Sequence, residues 1–171
     1  MKSFTAIRST AVATAIAAAF AYAPAASAGS APADLTVTAS VAANCTIATS
    51  PLAFGAYDPV VANATTALNG SGSVTVACTK GVAPTVGLGL GSNASGSTRR
   101  MTDGSSNYLT YEMYSDAGRT TVWSDSGGGL YAPGAAASKT ARNFTVYGRV
   151  PSNQDVAAGS YSDTVVATVN F

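Results

Sequence analysis

The 171-residue chain contains no histidine. It therefore cannot form a Ser–His–Asp or Cys–His catalytic arrangement, and acid–base chemistry would need paired carboxylates, lysine or tyrosine in a cleft. Its eight acidic residues are dispersed over turn-like segments, and no GxSxG, SxxK or metal-binding cluster is present. We expect no enzymatic activity, no cofactor and no bound metal.

Charge is also scarce, since Asp, Glu, Lys and Arg make up only 10% of the chain. Removing Lys2 and Arg8 from the nine basic residues leaves seven against eight acidic ones, a net charge of about −1. The basic residues are scattered apart from Arg99–Arg100, which we interpret as part of a solvated loop. No nucleic-acid partner is expected, because no basic stripe or cluster is present.

Long apolar runs are absent apart from Ala11–Ala21 near the start of the chain, which is too short to span a bilayer. This run follows Lys2 and Arg8 and precedes the small residues Ala26–Ala28. Such an order is typical of a cleaved secretory signal peptide. We predict a signal peptide over residues 1–28 and an exported mature chain that begins at Gly29.

Only two cysteines occur, Cys45 and Cys78. An even pair in an exported protein favours a disulfide, because the compartment is oxidising. A zinc site would lack its other ligands, and nothing nearby supports a free catalytic thiol.

One polar–apolar alternation stands alone in front of Cys45. In Asp34–Val41 (DLTVTASV) the residues Leu35, Val37, Ala39 and Val41 alternate with threonine and serine, which is the period of a half-buried strand. No turn joins it to a neighbouring hairpin. This strand must therefore pair at long range, either in its own domain or in another molecule.

The other apolar segments of residues 29–171 also have strand period, and none carries a helical stripe. Gly-, Asn- and Ser-rich turns separate them, which indicates a single all-β sandwich or barrel. The predicted strands are Val74–Cys78, Val86–Leu90, Leu109–Met113, Phe144–Val150 and Tyr161–Phe171. The last runs to the final residue of the sequence, and an open strand edge invites pairing with another chain. The two features fit together if the front strand of one copy completes the sheet of another; an ordinary first strand that pairs within its own domain is the alternative.

Two further patterns have an ordinary and a functional interpretation. The segment Asp103–Asn107 resembles a calcium loop faintly, but one carboxylate favours a plain turn. Several aromatic residues could stack on sugars, although such residues more often fill a core or a subunit contact; they are Tyr57, Tyr108, Tyr111, Tyr114, Trp123 and Tyr131.

A set of ordered strings gives the chain a family resemblance. They are NCTI around Cys45, FGAYDP at Phe54–Pro59, VACTKG around Cys78, YEMYSDAGRTTVWSD at Tyr111–Asp125 and the ending FTVYGRVPSNQDVAAGSYSDTVVATVNF at Phe144–Phe171. Together they resemble the spore coat protein U domain, the fold of the major subunits of archaic (Csu-type) chaperone–usher pili. The resemblance covers roughly Asp34–Phe171.

This resemblance implies an incomplete immunoglobulin-like β-sandwich that a donor strand from a neighbouring subunit completes. Residues 29–43 would form the N-terminal extension and residues 44–171 the pilin domain, with Cys45–Cys78 as the family disulfide. The donor segment would be Asp34–Ala43, inserting Leu35, Val37, Ala39 and Val41. The acceptor groove would be lined by inward residues of the last strand, and the Phe171 carboxylate would anchor the subunit in the chaperone cleft. Those groove residues are Tyr161, Val165, Ala167, Val169 and Phe171.

The same resemblance implies a role and a set of partners. The expected function is a structural pilin subunit of a pilus used in surface attachment and biofilm formation. Its partners would be identical subunits in a homopolymer, a periplasmic chaperone, an outer-membrane usher and a tip adhesin subunit. The protein would cross the inner membrane to the periplasm and end in a cell-surface pilus. The alternative is a secreted spore-coat or matrix-type protein of the same fold, whose front strand pairs internally.

Overall fold

A computed structural model describes residues 27–171 of the chain. The predicted signal peptide therefore lies outside the described residues, except for its last two positions. Two compact units divide the chain between Ala39 and Ser40. In the first, residues 27–39 have no regular secondary structure and their side chains are exposed.

The second unit is all-β, as the alternation predicts. Within the described residues its one helical element is a 3-10 turn at Gly127–Gly129, and no described helix is long and apolar enough to cross a membrane. Its strands are β1 (Cys45–Ala53), β2 (Leu68–Cys78), β3 (Thr85–Leu88), β4 (Arg99–Thr102), β5 (Tyr108–Tyr114), β6 (Arg142–Val150) and β7 (Ala167–Asn170).

These strands form two antiparallel sheets. The large sheet has the order β1-β2-β6-β5-β4, and the small sheet pairs β3 with β7. Alternate side chains of both sheets meet in one core, because a strand directs every second residue to the same face. Its buried apolar members include Val74, Val76, Val86, Leu88, Tyr111, Met113, Trp123, Val146 and Val150. The result is a β-sandwich in which one layer has only two paired strands.

The predicted disulfide is present and joins Cys45 at the start of β1 to Cys78 at the end of β2. The two residues are directly opposite each other in the β1–β2 ladder. The bond thus fixes the register of β1, which has one neighbour among the described strands.

Replacing Cys45 and Cys78 together by serine should lower the free energy of unfolding by about 3–4 kcal/mol, because the bond closes a loop of 33 residues. Urea denaturation of the mature protein measures this loss. Thr46→Ser, on the exposed face of β1, is the matched control and should change the free energy of unfolding by less than about 0.5 kcal/mol. A double variant as stable as the control would contradict the prediction.

The interpretation of Arg99–Arg100 as a solvated loop is wrong. Both residues begin β4, which pairs with β5 in the register Arg99↔Tyr111, and Arg99 is only 1% exposed. Burial is tolerated because the guanidinium donates to the carbonyls of Leu88 and Trp123 at 2.7 and 2.9 Å and also pairs with Glu112. A buried charge needs such partners.

The segment Asp103–Asn107 forms the turn between β4 and β5. The Asp103 carboxylate accepts the side-chain amide of Asn107 at 2.7 Å and the backbone N–H of Ser105 at 2.8 Å. These hydrogen bonds, that from Asn107 first, hold the pKa of Asp103 below its usual value. The carboxylate oxygens thus stabilise the turn itself.

Candidate functional site

An apolar groove of about 380 Å³ opens between β1 and residues 161–171, called here the last segment. One wall is formed by Thr49–Leu52 of β1 and the other by residues 161–165 together with Ala167. Its floor consists of core side chains from both sheets, namely Val74, Leu88, Met101, Tyr111, Met113 and Val146. The groove therefore gives access to the hydrophobic core along the gap between the two sheets.

The last segment presents an alternating face to this core. The side chains of Tyr161, Val165, Ala167 and Val169 are partly buried against it, whereas every even-numbered residue from 162 to 170 is exposed. Four of the five residues predicted to line the groove thus lie on the inward face. The fifth, Phe171, is 58% exposed.

The backbone of this segment is hydrogen-bonded along one edge. The carbonyls of Thr164 and Val166 accept the N–H groups of Ser92 at 3.0 Å and Gly89 at 2.9 Å. Because peptide groups of an antiparallel strand point alternately to its two sides, those of Val165, Ala167 and Val169 point to the opposite edge. No described strand pairs with that edge.

On the other side of the groove, β1 is the terminal strand of the large sheet and pairs only with β2 among the described strands. The groove is therefore flanked by two strand edges whose main-chain donors and acceptors have no ladder partner. Such edges are templates for an added strand.

The apolar lining continues beyond the groove into a second hollow of about 660 Å³. Leu52, Phe54, Met101 and Tyr161 line both spaces. The Phe54 ring fits here because Gly148 has no side chain. A Cβ at this position would lie 2.7 Å from the ring and collide with it. The hollow is extended by Tyr57, Leu68, Leu109 and Val156.

Hydrogen bonds to Asp163, called here the clamp, hold the start of the groove wall that the last segment forms. Asp163 accepts the Tyr111 hydroxyl at 2.7 Å and the Asn93 side-chain amide at 2.9 Å. The pKa of Tyr111 is raised above its ordinary value, mainly by burial and secondly by the hydrogen bond to Asp163. The phenol therefore stays protonated and donates to Asp163. Sequence reasoning did not find Asp163, because the pattern YSDT gives no signal for a contact between sheets.

Four of the six aromatic residues considered for sugar stacking divide into a core group and an exposed residue. Trp123 and Tyr111 are 0% and 6% exposed and belong to the core. Tyr131 stacks between Trp123 and Phe144 with ring centroids at 4.9 and 5.2 Å. Tyr108 is 40% exposed and lies under Arg100, whose guanidinium carbon is 3.9 Å from the ring centroid.

The predicted donor residues lie in a segment without regular secondary structure, since no residue from 27 to 44 is assigned to a strand. Leu35, Val37 and Val41 are 87%, 84% and 83% exposed, and Ala39 is exposed as well. Four apolar side chains at every second position are thus accessible to solvent.

Comparison with known proteins places this chain in a family. Its residues 31–168 match the Spore Coat Protein U domain. It is 40% identical over 155 residues to "Protein U" of Myxococcus xanthus, an alignment that covers 82% of this chain and 85% of the relative.

A solved structure shares the fold. It is the CsuC–CsuE chaperone–tip adhesion subunit pre-assembly complex from archaic chaperone–usher Csu pili of Acinetobacter baumannii, with a TM-score of 0.57 and 20% identity. The match covers 77% of this chain and 40% of the solved chain, so the chain spans less than half the length of that protein. The family match, the 40% identical relative and the shared sandwich agree, and this chain belongs to the Spore Coat Protein U domain family.

Proposed function

We propose that this protein is a structural pilin subunit that polymerises by donor-strand exchange into an archaic chaperone–usher pilus. The observation that carries the proposal is the apolar groove between the unpaired edges of β1 and the last segment. Residues 1–28 would be the signal peptide, 29–43 the donor extension and 44–171 the pilin domain. Both comparisons, with a coat-protein family and with a pilus subunit, favour a structural role over an enzymatic one.

Insertion of a strand into the groove satisfies two needs at once. Its main chain pairs with the open edges, and alternate side chains fill the apolar space. Burying Leu35, Val37 and Val41 would contribute about 5–8 kcal/mol before ordering costs, while each ordered residue costs about 1–2 kcal/mol of backbone entropy. The equilibrium gain is therefore moderate. The polymer persists mainly because release requires the whole ladder to break cooperatively.

An open groove also explains why the subunit would need partners before assembly. An exposed apolar groove and unpaired strand edges promote aggregation in water. A periplasmic chaperone would cover the groove, and an outer-membrane usher would catalyse its replacement by the next subunit. The finished pilus would lie at the cell surface, where it would serve in attachment and biofilm formation.

The decisive experiment examines oligomers in SDS. Filaments isolated from expressing cells should give a ladder of oligomers in SDS without heating, and the ladder should collapse to monomer on heating. Deleting residues 34–43 should abolish the ladder. The alternative, a coat or matrix protein whose front strand pairs internally, requires a stable monomer by gel filtration and SDS gels. A monomer that tolerates the deletion would overturn the pilin proposal.

A further inference from the structure

The outer face of the large sheet carries an arginine–tyrosine patch formed by Tyr114, Arg119, Tyr147 and Arg149. Tyr114 is directly opposite Tyr147 in the β5–β6 ladder. The guanidinium carbon of Arg149 is 5.6 Å from the Tyr114 ring centroid, and that of Arg119 is 5.7 Å from the Tyr147 centroid. Each ring therefore has a guanidinium within cation–π distance of its centroid, which is a favourable arrangement.

The position of Arg119 is fixed by its turn. Arg119 has φ of +56°, a left-handed conformation that non-glycine residues adopt rarely. Its Nε donates to the Gly148 carbonyl at 3.0 Å and its Nη1 to the Ala117 carbonyl at 3.2 Å. The guanidinium is thus preorganised over the sheet, which lowers the entropy cost of a contact made there.

Neither arginine of the patch forms an ion pair with a carboxylate among residues 27–171. The side chain of Arg149 makes no hydrogen bond or ion pair with any residue from 27 to 171, although Glu112 is opposite it in the ladder. Glu112 pairs instead with the buried Arg99. The other nearby carboxylate, Asp116, accepts the backbone N–H groups of Thr120 and Thr121. Guanidinium donors without partners match a carboxylate.

An acidic group without a partner lies on the opposite layer of the sandwich. The backbone of Asp125 passes over Gly87 on the outer face of the small sheet, where a Cβ at Gly87 would be 2.8 Å from the Asp125 Cα. The Asp125 side chain is exposed and makes no hydrogen bond within the described part of the chain. Beside it Val166 is 68% exposed. This face therefore carries an exposed carboxylate next to an exposed apolar side chain.

We propose that the arginine–tyrosine patch of one copy binds the Asp125 face of a second copy. The two surfaces have complementary charge and lie on opposite layers of the sandwich, so the contact is head-to-tail and repeats from copy to copy. Arginine and tyrosine are enriched in protein interfaces. This inference rests on the proposed polymer, in which copies are held at high local concentration.

Cysteine trapping in filaments tests the contact. In Tyr147→Cys/Val166→Cys, which keeps the charges of Arg149 and Asp125, oxidation should link neighbouring copies, so that oligomers survive heating in SDS and collapse only with reductant. The matched control is Thr75→Cys/Val166→Cys, because Thr75 lies on the same outer sheet face but on β2. We expect at least about tenfold more linked dimer from the first pair.

Charge reversal is the second test of the proposed contact. Arg149→Glu and Asp125→Arg should each lower the yield of linked copies, measured with Tyr147→Cys/Val166→Cys, and the combined reversal should restore it. This inference would be overturned if the test pair and the control pair gave equal yields of linked copies while the unheated SDS ladder was intact. The pilin proposal would then stand. Loss of the unheated ladder in the unmodified protein would instead overturn the pilin proposal. Binding of polyglutamate that depends on Arg149, without any linked copies, would assign the patch to an anionic polymer and overturn the contact.

Discussion

Filament formation should be lost when Leu35 or Val37 is replaced by aspartate. Both side chains are more than four-fifths exposed, so the substitution replaces a solvent-exposed side chain and not a buried one. In a donor-exchanged polymer the same side chain would enter the apolar groove of the next copy. A carboxylate placed there would lose its hydration without gaining a partner, which costs several kcal/mol. We expect the yield of SDS-resistant oligomers to fall at least about tenfold for each variant.

The alternation of the segment supplies its own control. Thr36 and Thr38 lie between the apolar positions, so Thr36→Asp and Thr38→Asp would direct the charge away from the groove. These variants should polymerise nearly as well as the unmodified protein. Far-UV circular dichroism and the unfolding midpoint of the chaperone-bound subunit should be unchanged in all four. Long filaments from Leu35→Asp or Val37→Asp, or equal losses at Thr36 and Leu35, would exclude the assigned inward positions.

Much of the fold can be predicted from the sequence, because a half-buried strand has apolar residues at every second position. Val74–Cys78, Leu109–Met113 and Phe144–Val150 lie within β2, β5 and β6, and each has large apolar side chains on one face. β1 was not predicted, since its sequence CTIATSPLA has few large side chains and a register shift between Ser50 and Ala53. A bulge moves later residues to the other face, so the alternation is broken.

Only one wall of the candidate groove could be predicted from the sequence. The period of the last segment gives its inward residues, but β1 as the opposite wall follows from the strand order of the large sheet. The role of Phe54 depends on the missing side chain at Gly148, a contact between residues 94 positions apart. No local pattern encodes such a pairing. The clamp at Asp163 was missed for the same reason.

The largest loss of stability should come from Arg99→Met. The Arg99 guanidinium donates to the carbonyls of Leu88, Gly89 and Trp123 and pairs with Glu112. It thus joins the end of β3 to β5 and to the segment that contains Trp123. Methionine fills part of the volume but leaves these acceptors without a donor. Breaking a buried ion pair by removing one partner costs about 3–5 kcal/mol, a large share of the stability of a small domain.

The neighbouring residue is the matched control for this prediction. Arg100 has the same side chain on the opposite face of β4, where it covers the exposed Tyr108 and makes one hydrogen bond, from Nε to the Asn93 carbonyl at 3.1 Å. Arg100→Met should therefore cost about 1 kcal/mol or less. Urea denaturation of the two variants should separate them by at least about 2 kcal/mol. Adding Glu112→Gln to Arg99→Met should recover part of the loss, because it removes the carboxylate whose partner is gone. Equal costs at Arg99 and Arg100 would mean that the carbonyls around Arg99 find other donors, and that the arginine is not what holds the two sheets together at this end of β4.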